Sequence, residues 1–432
     1  MTTYYVSSKS GNDLNSGTSD TQAWSNFSKL TGILKAGDSV LLENGSDFKQ
    51  TLTLNNVKGT AELPITISSY GIGAAPILSS DKGAGIVAGN SHYFVVENIA
   101  FRSTGDVAIN AFNANNWIVQ NVTFDNIATS TGLGTITWKN STNILFENNS
   151  MTNSHGDGIY MSNVHNVVVK DNLFQSVTGA LADNVQISGS DVVISGNIMI
   201  SNPDSDTTKG NLVFQGSNLY AHDNYMQGGS FGASISANNV VIADNVIKDH
   251  TKYTWSSDII VSDEVVGDNI SNIKIADNHF SDSSRNITID GQGKTIAQML
   301  VNNLDISNNK LDDWTKAAVV INGVVVNSGT YTNNTTDKDG GWLYATNSNV
   351  SKLVTTDNIY VPEIPVQPAP EKILTVTASA DIYCGSPILY LFVNGKEAGH
   401  QDVTALHSQG EKQTITFTIP TFQEGDQISI KY

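Results

Sequence analysis

The chain has 432 residues, only 15% of them charged, and a formal net charge of −18. Two arginines, Arg102 and Arg285, set against 41 acidic residues leave no basic surface for nucleic acid. No stretch approaches the roughly 18–20 apolar residues that span a bilayer, so neither nucleic acid nor membrane is an expected partner.

A single cysteine, Cys384, excludes an intramolecular disulfide framework and reads as a small buried apolar residue. Met1 and two threonines lead straight into a strand, so a removed leader or another export route is expected. Abundant Ser, Thr, Asn and Gly suit a secreted, extracellular protein.

In chain order, YYVS (4–7) is a strand followed by a polar turn, GNDLNSGT (11–18). Residues 24–34 place Trp24, Phe27, Leu30 and Leu34 on one helical face, which predicts an amphipathic helix capping the open end of a coil. KAGD (35–38), PITI (64–67) and YG (70–71) follow. Over about the first 80 residues these motifs resemble the N-terminal region of secreted right-handed parallel β-helix proteins, several of them polysaccharide lyases and xylosidases. The resemblance implies architecture more than reaction.

HYFVVENIAF (92–101) and NWIVQNVTF (116–124) are the first coils. One phrase then recurs: NILFENN (143–149), NVVVKDN (166–172), DVVISGN (191–197), NLYAHDN (218–224), NVVIADN (239–245), NIKIADN (272–278) and NLDISNN (303–309). The final Asn advances in steps of 23, 25, 27, 21, 33 and 31, the irregular period of a solenoid whose coils carry loops of variable length. Apolar residues alternate, and a second short strand follows each copy, as at 158–161, 184–187 and 211–214. The expected fold is all-β: a right-handed parallel β-helix over 1–360, with an N-terminal helical cap (1–40) and a C-terminal cap (312–360). Coils about 4.8 Å apart allow Asn172, Asn197 and their equivalents to form an inward ladder of amides.

VPEIPVQPAP opens a stiff proline-rich linker at 361–371. Residues 372–432 then read as a small antiparallel β-sandwich. Its LYLFVNGK (389–396) and TITFT (414–418) resemble the calcium-dependent, xylan-binding carbohydrate-binding modules. In those modules an acidic calcium segment follows the strand matching 428–432, where this chain ends.

Chemistry on a β-helix belongs on one external sheet, where successive coils line up side chains. SHGDGIY (154–160), ADNVQ (182–186) and KGN (209–211) stack Asp157, Asp183 and Lys209 at the start of adjacent strands. Tyr160 and Gln186 then point outward, because Ile159 and Val185 turn inward. Two carboxylates a coil apart fit glycoside hydrolysis, in which one protonates the leaving oxygen and the other activates water or attacks the sugar. The pattern is similar to that of polygalacturonase-like hydrolases, although Asn184 stands where a second adjacent Asp is expected and Lys209 where a His-containing turn would come.

Read without that resemblance, Asp-Gly and Asp-Asn are also ordinary turn dipeptides, and Lys209 an ordinary loop lysine. His155 is an acid or a sugar ligand, or a solvated turn residue. Trp138, Tyr220, Tyr225, Tyr253 and Trp255 could stack on sugar rings or fill the coil interior, and His222 and Asp258 are further candidates on later coils. Asp263, Glu264 and Asp268 form an acidic cluster that without the fixed spacing of a calcium loop reads as a solvated turn rather than a calcium site. The chemistry requires no cofactor. A polysaccharide partner and a monomer are expected. The alternatives are a lyase with Lys209 as base and calcium on Asp157 and Asp183, or a non-catalytic glycan-binding or adhesive protein.

Overall fold

The computed structural model describes residues 1–431 apart from 81, 128–133, 176, 180, 202–207, 265–268, 292–298, 362–371, 379–387, 394–395, 406–409 and 420–426. The linker beyond Val361, Cys384 and Asp268 therefore lie outside the described residues. They divide into two units, Met1–Pro362 and Glu363–Tyr432.

The first unit is a parallel β-helix whose coils present three faces. On face 1, residues 86, 109, 136, 159, 185, 212, 233, 259, 287, 319 and 343 stand in parallel register from coil to coil. Face 2 begins with Phe94, Trp117, Ile144, Val167 and Val192, and face 3 runs through Phe101, Phe124, Met151, Phe174 and Met199. These rows point inward and are buried, and they stack into one continuous core. Alternation makes this possible: every second residue of a strand enters the core while its neighbours face water.

In the middle coils faces 1 and 2 run together as strands such as Ile159–Lys170 and Ala182–Ser195. Corners are turned by residues with positive φ, the non-glycine ones nearly all Asn or Asp, including Asn163 (54°), Asn166 (54°) and Asp171 (57°). These residue types tolerate the left-handed region because their short polar side chains hydrogen-bond locally.

The inward amide ladder forms between faces 2 and 3. Asn149 donates its backbone N–H and its Nδ2 to Asn172 Oδ1 (2.8 and 3.0 Å), and Asn172 does the same to Asn197 (3.0 and 3.0 Å). The pattern repeats through Asn224, Asn245, Asn278, Asn309, Asn334 and Asn358.

Two expectations are corrected. Residues 24–34 form no α-helix; short 3₁₀ turns at Asp20–Gln22 and Ser28–Leu30 take its place. Asp13 Oδ1 accepts the Ser25 N–H and Asn26 Oδ1 the Ser28 N–H, both at 2.9 Å, so side chains compete for the donors a helix would use. Trp24, Phe27 and Leu30 are nevertheless buried and close the end of the core. At the other end, 312–360 is not an irregular cap. Ala317–Asn322, Gly329–Thr332, Leu343–Thr346 and Leu353–Thr356 continue the coils in register.

The second unit has antiparallel sheets. Lys372–Ala378 pairs with Gln413–Ile419, and Ile388–Val393 pairs with Lys396–Asp402 and Ile428–Lys431. Ala378, Leu389, Leu391, Val403, Ile415 and Phe417 form its small core. No helix among the described residues is long and apolar enough to cross a membrane.

Candidate active site

Face 1 brings the two aspartates together. The Asp157 carbonyl accepts the Thr135 N–H from the coil before, and the Gly158 N–H donates to the Asp183 carbonyl of the coil after (2.9 Å). Asp157 Oδ1 also accepts the backbone N–H of Asp183 at 2.9 Å. The two carboxyls therefore stand on successive coils, 6% and 1% exposed.

Burial sets their chemistry. Removing a carboxylate from water penalises its charged form, and a second carboxylate nearby adds repulsion. Burial pushes Asp157 up to about 6 against the opposing pull of the Asp183 N–H and the Lys209 charge. Asp183 is raised well above the ordinary range, first by burial and then by Asp157, with Lys209 and the Gly210 amide acting the other way. Asp183 Oδ1 is buried and accepts no hydrogen bond. An acceptor left empty in this way is costly in a structural role and useful in a protonated acid.

Asp183 lines a polar cavity of about 210 Å³ together with Gln186, Lys209, Gln215, Ser236 and Glu264. Asp157 is not among its lining residues. Lys209 is offset from strict register, since a bulge after Ala182 pairs Asp183 with Gly210. Its Nζ lies 6.0 Å from the centre of the Phe231 ring. Tyr160 pairs in register with Gln186 and faces outward beside Lys139, whose Nζ is 5.7 Å from the Tyr160 ring centre.

Other candidates lie elsewhere. His155 is exposed at the corner before this strand, with Nδ1 3.4 Å from Thr178 Oγ1, and does not line the cavity. Trp138 is fully buried against Trp117 and donates to the Ala114 carbonyl (3.1 Å), so it offers no face to a sugar. His222 is on face 2, stacked on Tyr220 (4.1 Å between rings), and Tyr225 is on face 3, bonded to Gln227. Trp255 lies further along the helix in a separate pocket.

Asp258 is corrected most sharply: it is fully buried and belongs to an internal polar chain. Asn184 Nδ2 donates to Asn211 Oδ1 (2.7 Å), Asn211 Nδ2 lies 3.3 Å from His250 Nε2, and His250 Nδ1 lies 2.7 Å from Asp258 Oδ1. Ser283 and Asn286 complete the Asp258 shell at 2.5 and 3.0 Å. The His250 ring spans the step at Gly232, which stands between Asn211 and Asp258 in this row and has no side chain; a Cβ there would stand 3.2 Å from His250 Cε1 and 2.3 Å from Ile247 Cγ2. Neither His250 nor Glu264's place in the cavity was anticipated. In the sequence Glu264 belongs to an acidic turn, and the signal for its place in the cavity is its proximity to the strand ending at Ser262. Among the described residues no three His, Cys, Asp or Glu side chains gather as a metal site.

The sequence matches a family model described as the right-handed β-helix region over residues 28–226, a span containing Asp157, Asp183 and Lys209. The lacto-N-biosidase of Bifidobacterium longum subsp. longum is 45% identical over 93 residues, which is 21% of this chain and 5% of that protein. The chain thus spans a small fraction of this curated relative's length. The native structure of the GH136 lacto-N-biosidase from Eubacterium ramulus aligns over 84% of this chain and 68% of its own, with TM-score 0.57 and 14% identity. Its selenomethionine derivative aligns over the same shares with TM-score 0.52 and 15% identity. This chain is a right-handed parallel β-helix, a fold it shares with the Eubacterium ramulus enzyme.

Proposed function

We propose that this chain is a carbohydrate-active enzyme, a glycoside hydrolase acting on an extracellular glycan from the polar cavity on face 1. The observation that carries the reading is Asp183: buried, raised well above the carboxylate range, with an unbonded oxygen, in a cavity that also holds Glu264. Such a group holds its proton more tightly than an ordinary carboxyl and can give it to a glycosidic oxygen. Glu264, exposed on the cavity wall, is the second carboxylate, placed to activate water or to attack the sugar. Asp157 does not touch substrate in this reading. Its charge keeps the proton on Asp183, which makes it a positioning residue. Gln186, Gln215 and Ser236 supply hydrogen bonds to sugar hydroxyls, and the Lys209 charge offsets part of the upward shift of the pair. The local likeness to the Bifidobacterium lacto-N-biosidase supports hydrolysis over other chemistries.

The test is a screen of oligosaccharides and polysaccharides for reducing-end release, repeated with chelator and with Asp183→Asn and Glu264→Gln. Full activity in Asp183→Asn would remove the assignment. One observation favours a second reading: Lys209 lines the same cavity, where a lyase would need its base. A product with the ultraviolet absorbance of an unsaturated uronate, lost in Lys209→Met, would select the lyase instead.

A further inference from the structure

Four coils beyond Gln186, face 1 opens into a second pocket, of about 460 Å³. The outward row leads there without interruption, from Tyr160 and Gln186 through Val213, Ser234 and Ile260 to Thr288, Val320 and Tyr344. At about 4.8 Å per coil, Thr288 lies roughly 19 Å from Gln186.

The pocket pairs aromatic walls with polar groups. Trp255 and Tyr344 line it while 45% and 58% exposed, an unusual state for large apolar rings. Trp255 is held in place by stacking on Tyr253, with ring centres 5.1 Å apart and planes 9° from parallel. Its loop is tied down by Lys316, which donates to the Thr254 carbonyl at 3.1 Å. Thr288 and Val320 form the floor, and Arg285, Asp290 and Asn322 the polar side. Asn322 Nδ2 donates to Asp290 Oδ1 (3.0 Å).

We infer that this pocket is a sugar-binding subsite for a neutral pyranose, on the same track as the carboxylate cavity. The inference rests on the reading of face 1 as a glycan track. A flat ring presented to solvent suits the C–H face of a pyranose, and fixed donors and acceptors beside it suit vicinal hydroxyls. The charges indicate a neutral ring. Arg285 is offset by Asp290, and the other lining cation, Lys316, is directed at the loop carbonyl, so no pair of cations converges to cradle a carboxylate.

The test is binding to the full chain carrying Asp183→Asn, read by tryptophan fluorescence and calorimetry. Lacto-N-tetraose and xylohexaose serve as neutral probes and tetragalacturonate as the acidic one. All six tryptophans lie at or before Trp342, and Trp255 is the most exposed of them, so quenching reports on the β-helix. A neutral probe should quench fluorescence, and Trp255→Ala and Arg285→Gln should each weaken its binding about tenfold. Unchanged affinity in both variants, no binding of either neutral probe, or preference for tetragalacturonate would overturn the inference. Because binding needs no turnover, a protein that binds at Trp255 but cleaves nothing refutes only the hydrolase reading. One that cleaves glycans while Trp255→Ala binds normally refutes only the subsite.

Discussion

Among the polar side chains buried in this β-helix, the amide ladder and the aspartate pair differ in how completely they are bonded. In the amide ladder Asn224 has every hydrogen-bonding group used: Oδ1 accepts from Asn197, and Nδ2 donates to Ile194, His222 and Asn245. Around Asp183 one carboxyl oxygen has no partner and two acids crowd each other. Low dielectric strengthens satisfied networks and penalises unsatisfied ones, so the first set is scaffold and the second carries a cost that chemistry can explain. The contrast also shows that burial of a polar residue is not by itself a mark of function.

The sharpest way to break the contrast is Asp183→Asn. It should lower kcat/KM by about 10²–10⁴, the usual contribution of a general acid, without lowering the melting temperature. The His250–Asp258 contact belongs with the scaffold. His250→Ala should destabilise by about 3–5 kcal/mol in denaturant titration, because a buried acid loses its partner. Asn224→Ala should cost about 2–3 kcal/mol by orphaning donors and acceptors on both neighbouring coils, while activity per folded molecule is kept.

The smallest effect concerns pH. Asp157 has a folded pKa near 6, above its unfolded value of 3.8, so its contribution to stability is fully present below about pH 4 and is lost as pH rises through 6. Asp157→Asn should therefore match the wild type in unfolding free energy near pH 4 and exceed it near pH 8, by an amount on the order of 1–3 kcal/mol. The same variant removes the charge that raises Asp183, so the alkaline limb of the rate profile should move to lower pH. An unmoved limb would deny Asp157 its positioning role.

The coil rhythm was legible because one corner of each turn needs an amide that both donates and accepts along the axis, and only Asn offers this at that size. Alternation likewise placed Tyr160 and Gln186 outward. It also contained the warning about Trp138, which shares parity with the inward Ile136. Asp258 was misread because alternation fails at the start of a strand: both Asp258 and Ile259 are fully buried where the corner enters the sheet. Glu264 and the pocket around Trp255 were hidden for another reason. They depend on which coils neighbour one another after insertions of unequal length, and repeat spacing alone does not reveal what a loop reaches.

The amide stack has a direction. From Asn149 to Asn334 each Asn gives its backbone N–H and an Nδ2 hydrogen to the side-chain oxygen of the following coil, and its own Oδ1 takes from the preceding one, so the small dipoles add head to tail along the long axis. A duplicated turn spliced anywhere in this series would find a donor waiting on one side and an acceptor on the other. Such a molecule can lengthen or shorten by whole turns over evolutionary time without new end pieces, carrying its surface pockets apart or together as it does so.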